Sequence, residues 1–327
     1  MATTDSRPAA ADYQAAITAV ACYDASANGR LRMTERDRAE LLHRLSTNDM
    51  RKLNPGDGAR TALVNHHARI LDLLTVYVLP EHLLVTTSPG QNAAVLGLLR
   101  KNIFFNDRVG LEDLSADTVE YHLYGPRAAE LVRDIAALDV GDWPLHHVQG
   151  VTVAGKQAWL ARTLPIGGDG FALFGRAEDA DSPREALADV PALGDASYDT
   201  LRVEHGYAAW ARELSLEYIP LETRLVDAVS FTKGCYVGQE IIARMESRNR
   251  LAKQLMGLRL DRPVEAGGKL RADGKEAGDL TSAVDSPRFG PIALAYVRTA
   301  WAQPGTVVEA ADGVRAEVVE LPFVEAV

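Results

Sequence analysis

Beyond about Leu251 the sequence consists of short apolar segments separated by tight turns. Asp273-Gly274 and Asp312-Gly313 are the strongest short-range hairpin signals, because a two-residue hairpin turn needs residues that accept positive φ. Six segments are predicted to be strands, at residues 254–260, 268–271, 276–284, 291–297, 306–309 and 314–320. Six strands with little helix make a small β-barrel or a sandwich. The end of the chain is therefore predicted to be an all-β domain.

The chain before this region mixes helices and strands without regular alternation. Apolar residues at helical spacing predict helices at residues 13–22, 35–45, 90–101, 127–137 and 177–190. Strands are predicted at residues 60–64, 69–79, 82–87, 118–124, 151–153, 158–163 and 170–174. Gly167-Gly168-Asp169-Gly170 predicts a hairpin turn, because no Lys-Ser/Thr pair follows it as in a phosphate loop. This pattern is typical of an α+β fold, and residues 1–12 are predicted to be disordered.

Composition limits the classes of function that the chain can serve. The length of 327 residues indicates about two domains. A net charge of −10 argues against broad binding to nucleic acid or to anionic membranes. Cys22 and Cys235 are the only cysteines, which excludes a disulfide framework and a four-cysteine cluster site within one chain. The polar start and the short apolar runs predict neither a secretory signal nor a membrane span, so we expect a cytoplasmic protein.

The segment Lys233-Gly234-Cys235-Tyr236-Val237-Gly238-Gln239-Glu240 is the most informative part of the sequence. The residues from Gln239 onward have good helix propensity, which places Cys235 just before a helix N-terminus. The helix dipole and the ammonium group of Lys233 would both favour the thiolate form of Cys235. The alternative is a small, buried thiol in a tight turn, because free cysteines are among the most buried residues.

This octapeptide, KGCYVGQE, resembles the signature of the YgfZ family of folate-binding proteins, which assist the assembly or repair of iron–sulfur clusters. That family is related to the glycine-cleavage T-protein, an aminomethyltransferase. Further resemblances to the T-protein superfamily lie in Leu45-Ser46-Thr47-Asn48-Asp49, in Arg202-Val203-Glu204-His205-Gly206 and in the ending from Ser286 to Phe323. Together they extend over most of the chain.

The resemblance implies an α+β fold of the T-protein type. Two interleaved α+β subdomains, at residues 13–250, and a C-terminal β-barrel, at residues 251–327, would surround a central channel. Tetrahydrofolate, or a one-carbon-substituted folate, would bind in that channel. The implied partners are folate and, transiently, iron–sulfur client or assembly proteins, and we expect a monomer.

The resemblance also implies a set of site residues. Cys235 would be the working thiol and Lys233 its support, while Asn48, Tyr236 and Gln239 in the matching motifs are folate-binding candidates. Asp72 falls where the T-protein has a carboxylate that meets folate, although Ala68, Arg69 and Leu73 replace the glycines and the second aspartate found there. A buried carboxylate in an apolar run needs hydrogen bonds or a polar cavity, so Asp72 is otherwise a structural acid.

Glu204 lies in the segment that resembles the ligand side of the relatives. A carboxylate can accept paired hydrogen bonds from an aminopyrimidine such as the pterin ring. The alternative for Glu204 is a surface salt bridge with Arg202 or Arg212. The adjacent histidine pairs, His66-His67 and His146-His147, have no spacing that supports a metal site, and none is predicted.

Three functions are compatible with these residues. The first is folate binding coupled to iron–sulfur cluster assembly or repair, with Cys235 as the thiol. The second is an aminomethyltransferase that passes a one-carbon unit to tetrahydrofolate. The third is a folate-dependent demethylase module or a non-catalytic scaffold. The octapeptide favours the first, since T-proteins resemble the chain elsewhere but lack the cysteine motif, so we do not expect a true glycine-cleavage enzyme.

Overall fold

The computed structural model describes residues 10–179, 181–248 and 251–325. Within them the helices are α1 (Ala10–Thr18), α2 (Arg38–Leu45), α3 (Asn92–Lys101), α4 (Ala128–Ala136), α5 (Asp181–Ala186), α6 (Asp195–Glu204) and α7 (Gln239–Arg248). The first ten strands are β1 (Ala21–Asp24), β2 (Gly29–Thr34), β3 (Gly58–Val64), β4 (Ile70–Val78), β5 (Leu83–Thr87), β6 (Gly110–Asp113), β7 (Thr118–Gly125), β8 (Val148–Val153), β9 (Lys156–Arg162) and β10 (Asp169–Arg176). The remaining strands are β11 (Lys253–Leu260), β12 (Lys269–Ala272), β13 (Lys275–Ser286), β14 (Gly290–Arg298), β15 (Val307–Glu309) and β16 (Arg315–Val319).

One antiparallel sheet has the strand order β1-β7-β10-β9-β8. Its inward side chains, among them Leu123, Leu160 and Phe171, form a core with Val132 of α4. The predicted turn at residues 167–170 is confirmed as part of a hairpin, because β9 and β10 pair antiparallel in the register that sets Phe171 opposite Arg162. Burial of each large apolar side chain contributes about 2 kcal/mol to stability.

A second antiparallel sheet has the order β3-β4-β5-β2-β6. Leu63, Leu74 and Val85 point from it into a core that α2 and α3 cover with Leu41 and Leu99. The predicted strands and helices of this region are confirmed, but β2 and β6 had no sequence prediction. Strand β6 carries acidic residues and is only partly buried at the edge of the sheet, so its apolar signal is weak.

Two predicted helices are shorter than expected. The helix predicted at residues 13–22 begins earlier and ends at Thr18, and β1 follows it. The helix predicted at residues 177–190 reduces to a 3-10 turn at Ala177–Asp179 and to α5, with residue 180 outside the described range. Of the segment predicted to be disordered, residues 1–9 lie outside the described residues, whereas residues 10–12 are the first turn of α1.

The end of the chain forms a closed barrel of the six strands β11-β14-β13-β12-β15-β16. Each of the six strands lies within two residues of its predicted position at both ends. Asp273 and Gly274 have φ values of 51° and 71°, which is the left-handed geometry expected of a two-residue hairpin turn. Leu258, Leu280 and Val318 fill the barrel with other buried apolar side chains.

The described residues divide into two compact units. One contains residues 14–179, 181–193 and 227–239, and therefore both five-stranded sheets. The other contains residues 10–13, 194–226, 240–248 and 251–325, and therefore the barrel. This division differs from the predicted boundary near residue 250, because α6 packs on the barrel and Arg202 hydrogen-bonds to Ser282 at 2.8 Å.

Candidate functional site

The motif Leu45–Asp49 contacts the segment just before the octapeptide, in the unit that holds the sheets. Thr47 Oγ1 donates a hydrogen bond of 2.6 Å to the carbonyl of Ala228, and the amide of Ser230 donates one of 2.9 Å to the carbonyl of Thr47. Asn48 Nδ2 donates to the carbonyl of Asp227 at 2.9 Å. The turn that ends α2 therefore holds the segment that leads into the octapeptide.

Lys233 completes this attachment. Its side chain is buried, and Nζ donates to the backbone carbonyls of His43 at 2.5 Å, Ser46 at 2.7 Å and Asn48 at 2.8 Å. The three acceptors account for all three protons of the ammonium group. Two of these carbonyls lie at the C-terminal end of α2, where the helix dipole favours a positive charge. Burial lowers the pKa of Lys233 to about 8, so the group is mostly protonated at neutral pH.

Tyr236 gives the octapeptide a second buried anchor. The Lys233 ammonium lies 4.8 Å from the centroid of the Tyr236 ring, which is a cation–π contact. Burial raises the pKa of Tyr236 to about 12, so its hydroxyl stays neutral. Gly238 then turns the chain into α7 with φ 79°, and a Cβ at this position would lie 2.8 Å from the carbonyl oxygen of Asn65. Only glycine fits this approach of the loop to its neighbour.

Between these two anchors the thiol of Cys235 is exposed. The alternative of a small, buried thiol in a tight turn is therefore wrong. Because the Lys233 protons are taken by carbonyls, any action of Lys233 on the thiol is through its charge and through the loop that it holds. The other cysteine differs: Cys22 is half-buried, and burial, together with the charge of Asp24, raises its pKa to about 12.

Two more predicted residues have defined positions near this loop. The side-chain amide of Asn48 is engaged in the fold, since Nδ2 also donates to the carbonyl of Arg60 and Oδ1 accepts from the amide of Asp49. Asp227 in turn forms a bidentate salt bridge with Arg60, with distances of 2.8 and 2.7 Å. Gln239 is half-buried and is the first residue of α7. Asn48 thus contacts the segment that leads into the octapeptide.

Asp72 lies in β4 and is fully buried. Oδ1 accepts a hydrogen bond from the amide of Leu73 at 2.9 Å, and Oδ2 accepts one from the amide of Ser88 at 3.2 Å. Burial raises the pKa of Asp72 to about 6, although these hydrogen bonds act in the opposite direction. The structure thus gives Asp72 the contacts of a structural acid, which can still change its protonation near neutral pH.

Glu204 lies in the unit that holds the barrel, at the end of α6, and is fully buried. Its Oε1 accepts hydrogen bonds from Tyr13 at 2.7 Å and from Ser286 at 2.5 Å, while Oε2 pairs with Arg288. Arg288 Nε also donates to the Tyr13 hydroxyl at 2.9 Å. Burial lowers the pKa of Arg288, but the Glu204 carboxylate raises it more, so the ion pair is held in its charged form.

The surface salt bridge considered for Glu204 is wrong. Arg202 pairs instead with Asp199 and Glu213, and Arg212 pairs with Asp199. Sequence reasoning missed the three actual partners, Tyr13, Ser286 and Arg288, because they lie 82 to 191 positions from Glu204. Of the three, only Ser286 was marked in the sequence, as the first residue of the segment Ser286–Phe323 that resembles the family's C-terminal barrel.

The described side chains and helices also bear on metal binding and on membrane crossing. Across residues 10–179, 181–248 and 251–325, no three His, Cys, Asp or Glu side chains are grouped so that they could bind a metal ion. His66 packs against His67 in a tilted geometry with ring centroids 3.9 Å apart, and His147 packs edge-on against Trp143. In the same ranges no helix has the length and apolar character needed to cross a membrane.

Comparison with known proteins gives matches along nearly the whole chain. The model of the GCVT N-terminal domain matches residues 3–233, and that of the glycine cleavage T-protein C-terminal barrel domain matches residues 253–325. The "Putative transferase At1g60990, chloroplastic" of Arabidopsis thaliana is 31% identical over 307 residues, which cover 93% of this chain and 71% of the relative. The aminomethyltransferase of Saccharopolyspora erythraea is 32% identical over 328 residues, with coverages of 96% and 89%.

A solved structure agrees with these matches. The glycine cleavage system aminomethyltransferase T from Bartonella henselae superimposes with a TM-score of 0.86 at 26% identity, covering 96% of this chain and 89% of that one. The α+β arrangement with a closed six-stranded barrel is thus shared with that protein.

Proposed function

Because this chain belongs to the glycine cleavage T-protein family, we propose that it binds tetrahydrofolate, or a one-carbon-substituted folate, and assists the assembly or repair of iron–sulfur clusters. The observation that carries the proposal is the exposed thiol of Cys235 between the buried side chains of Lys233 and Tyr236. A cysteine in a fixed loop and open to solvent can meet a partner, whereas a packed one cannot. The octapeptide around it resembles the YgfZ signature.

The surroundings of the thiol support contact with another protein. Phe231 and Val237 flank Cys235 in sequence, and they are 44% and 39% exposed. Exposed apolar side chains beside a functional group are typical of protein contact sites. The proposed partners are transient: iron–sulfur client proteins or assembly proteins that present a cluster or a cysteine to this loop.

The residues proposed for folate are compatible with that ligand in different degrees. Glu204 has a charged carboxylate in a buried place, which suits an aminopyrimidine, but a pterin would have to share Oε2 or displace Arg288. Asp72 is a buried acid with a pKa of about 6, able to exchange a proton with a ligand that reaches it. Tyr236 and Gln239 remain proposed contacts. When bound, folate would supply or accept a one-carbon unit.

Folate binding can be measured directly. Calorimetric titration with tetrahydrofolate is expected to show saturable binding to the wild-type chain and weaker binding to Glu204→Gln. The thermal unfolding temperature should rise with tetrahydrofolate in the wild type. No heat and no shift at millimolar ligand would contradict this part of the proposal.

An aminomethyltransferase is the second candidate, and the names of the relatives favour it. Against it, Leu73 stands where the second carboxylate of the T-protein pattern is expected, and Asp72 is bonded to backbone amides. The discriminating assay supplies a lipoyl-bound aminomethyl group and tetrahydrofolate. We expect no conversion to methylenetetrahydrofolate, and conversion at ordinary enzyme rates would replace the first candidate by the second.

The proposed cellular role has its own test. Cells that lack this protein should lose activity and cluster occupancy in radical and hydratase-type iron–sulfur enzymes, while the amounts of those polypeptides stay unchanged. Expression of the wild-type chain should restore both. Full cluster occupancy in the deleted strain would contradict the role.

A further inference from the structure

A cavity of about 600 Å³ lies in the unit that holds the two sheets, and both sheets contribute to its walls. Residues of β2, β5, β9 and β10 line it, together with the turn between β6 and β7. Neither Asp72 nor any residue of the octapeptide lines this cavity. Its volume is in the range of sites that bind small molecules.

The walls of the cavity are mostly apolar and partly aromatic. Leu79, Leu84 and Leu114 contribute aliphatic side chains, and Phe174 and Trp159 contribute rings. The neighbouring strand carries Gly150 opposite Trp159. A Cβ at Gly150 would lie 3.3 Å from the six-membered ring of Trp159, so the ring lies directly over the glycine backbone. Such walls fit a flat apolar body better than an extended polar chain.

One charged side chain in the wall has an unsatisfied donor. Nε of Arg32 is buried and has no hydrogen-bond partner among the described residues, although the tip of this side chain pairs with Glu112. A buried donor without an acceptor costs free energy. The Arg32 side chain as a whole is 43% exposed, so it can turn to present Nε–H to a ligand oxygen and recover that cost. The other arginines of the wall are engaged: Arg30 pairs with Glu120, and Arg176 pairs with Glu178 at 2.8 Å.

The electrostatics near Arg32 favour an anionic acceptor. His82 also lines the cavity, and its pKa is lowered first by burial and then by the charge of Arg32, which outweighs the opposing charge of Glu81. The charge of Arg32 therefore acts on this end of the cavity, where its ion-pair partner Glu112 also lies. A carboxylate accepts a stronger hydrogen bond from a guanidinium group than a neutral oxygen does.

We propose that this cavity is a second small-molecule site, which binds a flat aromatic carboxylate. The aromatic body lies against Trp159 and Phe174, and a carboxylate oxygen accepts the free Nε–H of Arg32. The inference does not depend on the proposed function, because the residues that carry it are separate from Cys235 and Glu204.

The probe for this site is naphthoate, and naphthalenemethanol is its neutral counterpart. Quenching of tryptophan fluorescence should show saturable binding of one naphthoate per chain and clearly weaker binding of the alcohol. Trp159→Phe should remove most of the quenching. Arg32→Gln should weaken the binding of naphthoate about tenfold, as expected for the loss of one hydrogen bond to a charged group. The same variant should bind the alcohol as tightly as the wild type does.

Two further variants serve as controls. Arg36→Gln removes the same charge from an exposed arginine that does not line the cavity, and it should bind naphthoate like the wild type. Ala116→Phe adds a ring at the exposed rim of the cavity and should abolish binding of both probes without touching Arg32. Circular dichroism should show that each variant is folded.

Several outcomes would overturn the proposal. One is the absence of saturable binding at millimolar naphthoate. Another is that Arg32→Gln and Arg36→Gln weaken naphthoate binding equally. A third is that the alcohol binds as tightly as naphthoate. Displacement of naphthoate by tetrahydrofolate would also overturn it, because the cavity would then be a folate site rather than a second one.

Discussion

Replacing Lys233 by methionine should loosen the attachment of the octapeptide loop without changing the length of the side chain much. The substitution removes three hydrogen bonds from a charged donor and leaves the carbonyls of His43, Ser46 and Asn48 without their ammonium partner. It also removes the positive charge at the end of α2.

The size of the effect follows from these contacts. Each hydrogen bond from a charged group contributes about 1.5–3 kcal/mol. Part of this sum is offset because the ammonium group is buried, as its lowered pKa of about 8 indicates. Breaking a buried charged network typically costs 3–5 kcal/mol, so we expect Lys233→Met to lower the free energy of unfolding of this unit by about 3 kcal/mol.

Cys22 provides an assay that reports on the same unit. Its half-buried thiol should react with iodoacetamide only when the unit opens, so pulse alkylation at increasing urea concentration gives an unfolding curve. Peptide mass spectrometry separates Cys22 from the exposed Cys235. The matched control is Lys52→Met, which removes the same charge from a lysine that is 69% exposed beside the same turn.

The unfolding curve of Lys233→Met should move to lower urea concentration. The free energy of unfolding of Lys52→Met should stay within about 0.5 kcal/mol of the wild-type value. If the two variants unfold at the same urea concentration, Lys233 does not hold the loop through its three carbonyl partners.

Three further predictions concern titration, an ion pair and thiol reactivity. Because the pKa of Asp72 is raised to about 6, its neutral form stabilises the fold at low pH, and this contribution is lost as pH rises through 6. Urea titrations should show that the wild type loses about 2 kcal/mol of stability relative to Asp72→Asn between pH 4.5 and 7.5. A stability difference that stays constant over this pH range would refute the prediction. Glu204→Gln should lower the urea stability of the barrel-containing unit by about 3 kcal/mol, because Arg288 loses its carboxylate; an unchanged midpoint would contradict the buried pair. At neutral pH iodoacetamide should modify Cys235 in the folded chain and leave Cys22 intact until urea is added, and equal rates would show that Cys22 is open.

Much of the fold could be predicted from sequence because its signals are local. Three of the barrel's strand pairings, β12-β13, β13-β14 and β15-β16, join strands that follow each other along the chain. The Asp273-Gly274 turn marks one of these hairpins within a few residues. Strand β6 could not be predicted because only one of its four residues is apolar. The helix predicted through Cys22 ended too late, since β1 pairs with β7, about a hundred positions away along the chain.

The candidate site could likewise be predicted only where its signals are local in the sequence. The octapeptide was recognised from its own residues, and the helix after Gly238 was predicted from local propensity. The acceptors of Lys233 lie 185 to 190 positions away, and all of them are backbone carbonyls, which have no sequence signature. The partners of Glu204 could not be predicted for the same reason, since Arg288 reaches it from a turn after β13.

Complementation of a deletion strain tests directly whether the thiol of Cys235 is the working group. The measured quantity is the activity of a hydratase-type iron–sulfur enzyme in cells that express the wild type, Cys235→Ser or Cys22→Ser at matched protein levels. Since Cys235 is exposed, its serine variant should fold and bind tetrahydrofolate like the wild type. We expect Cys235→Ser to leave the enzyme activity at the level of the deletion strain and Cys22→Ser to restore it. Full restoration by Cys235→Ser would show that the thiol of Cys235 is not the working group.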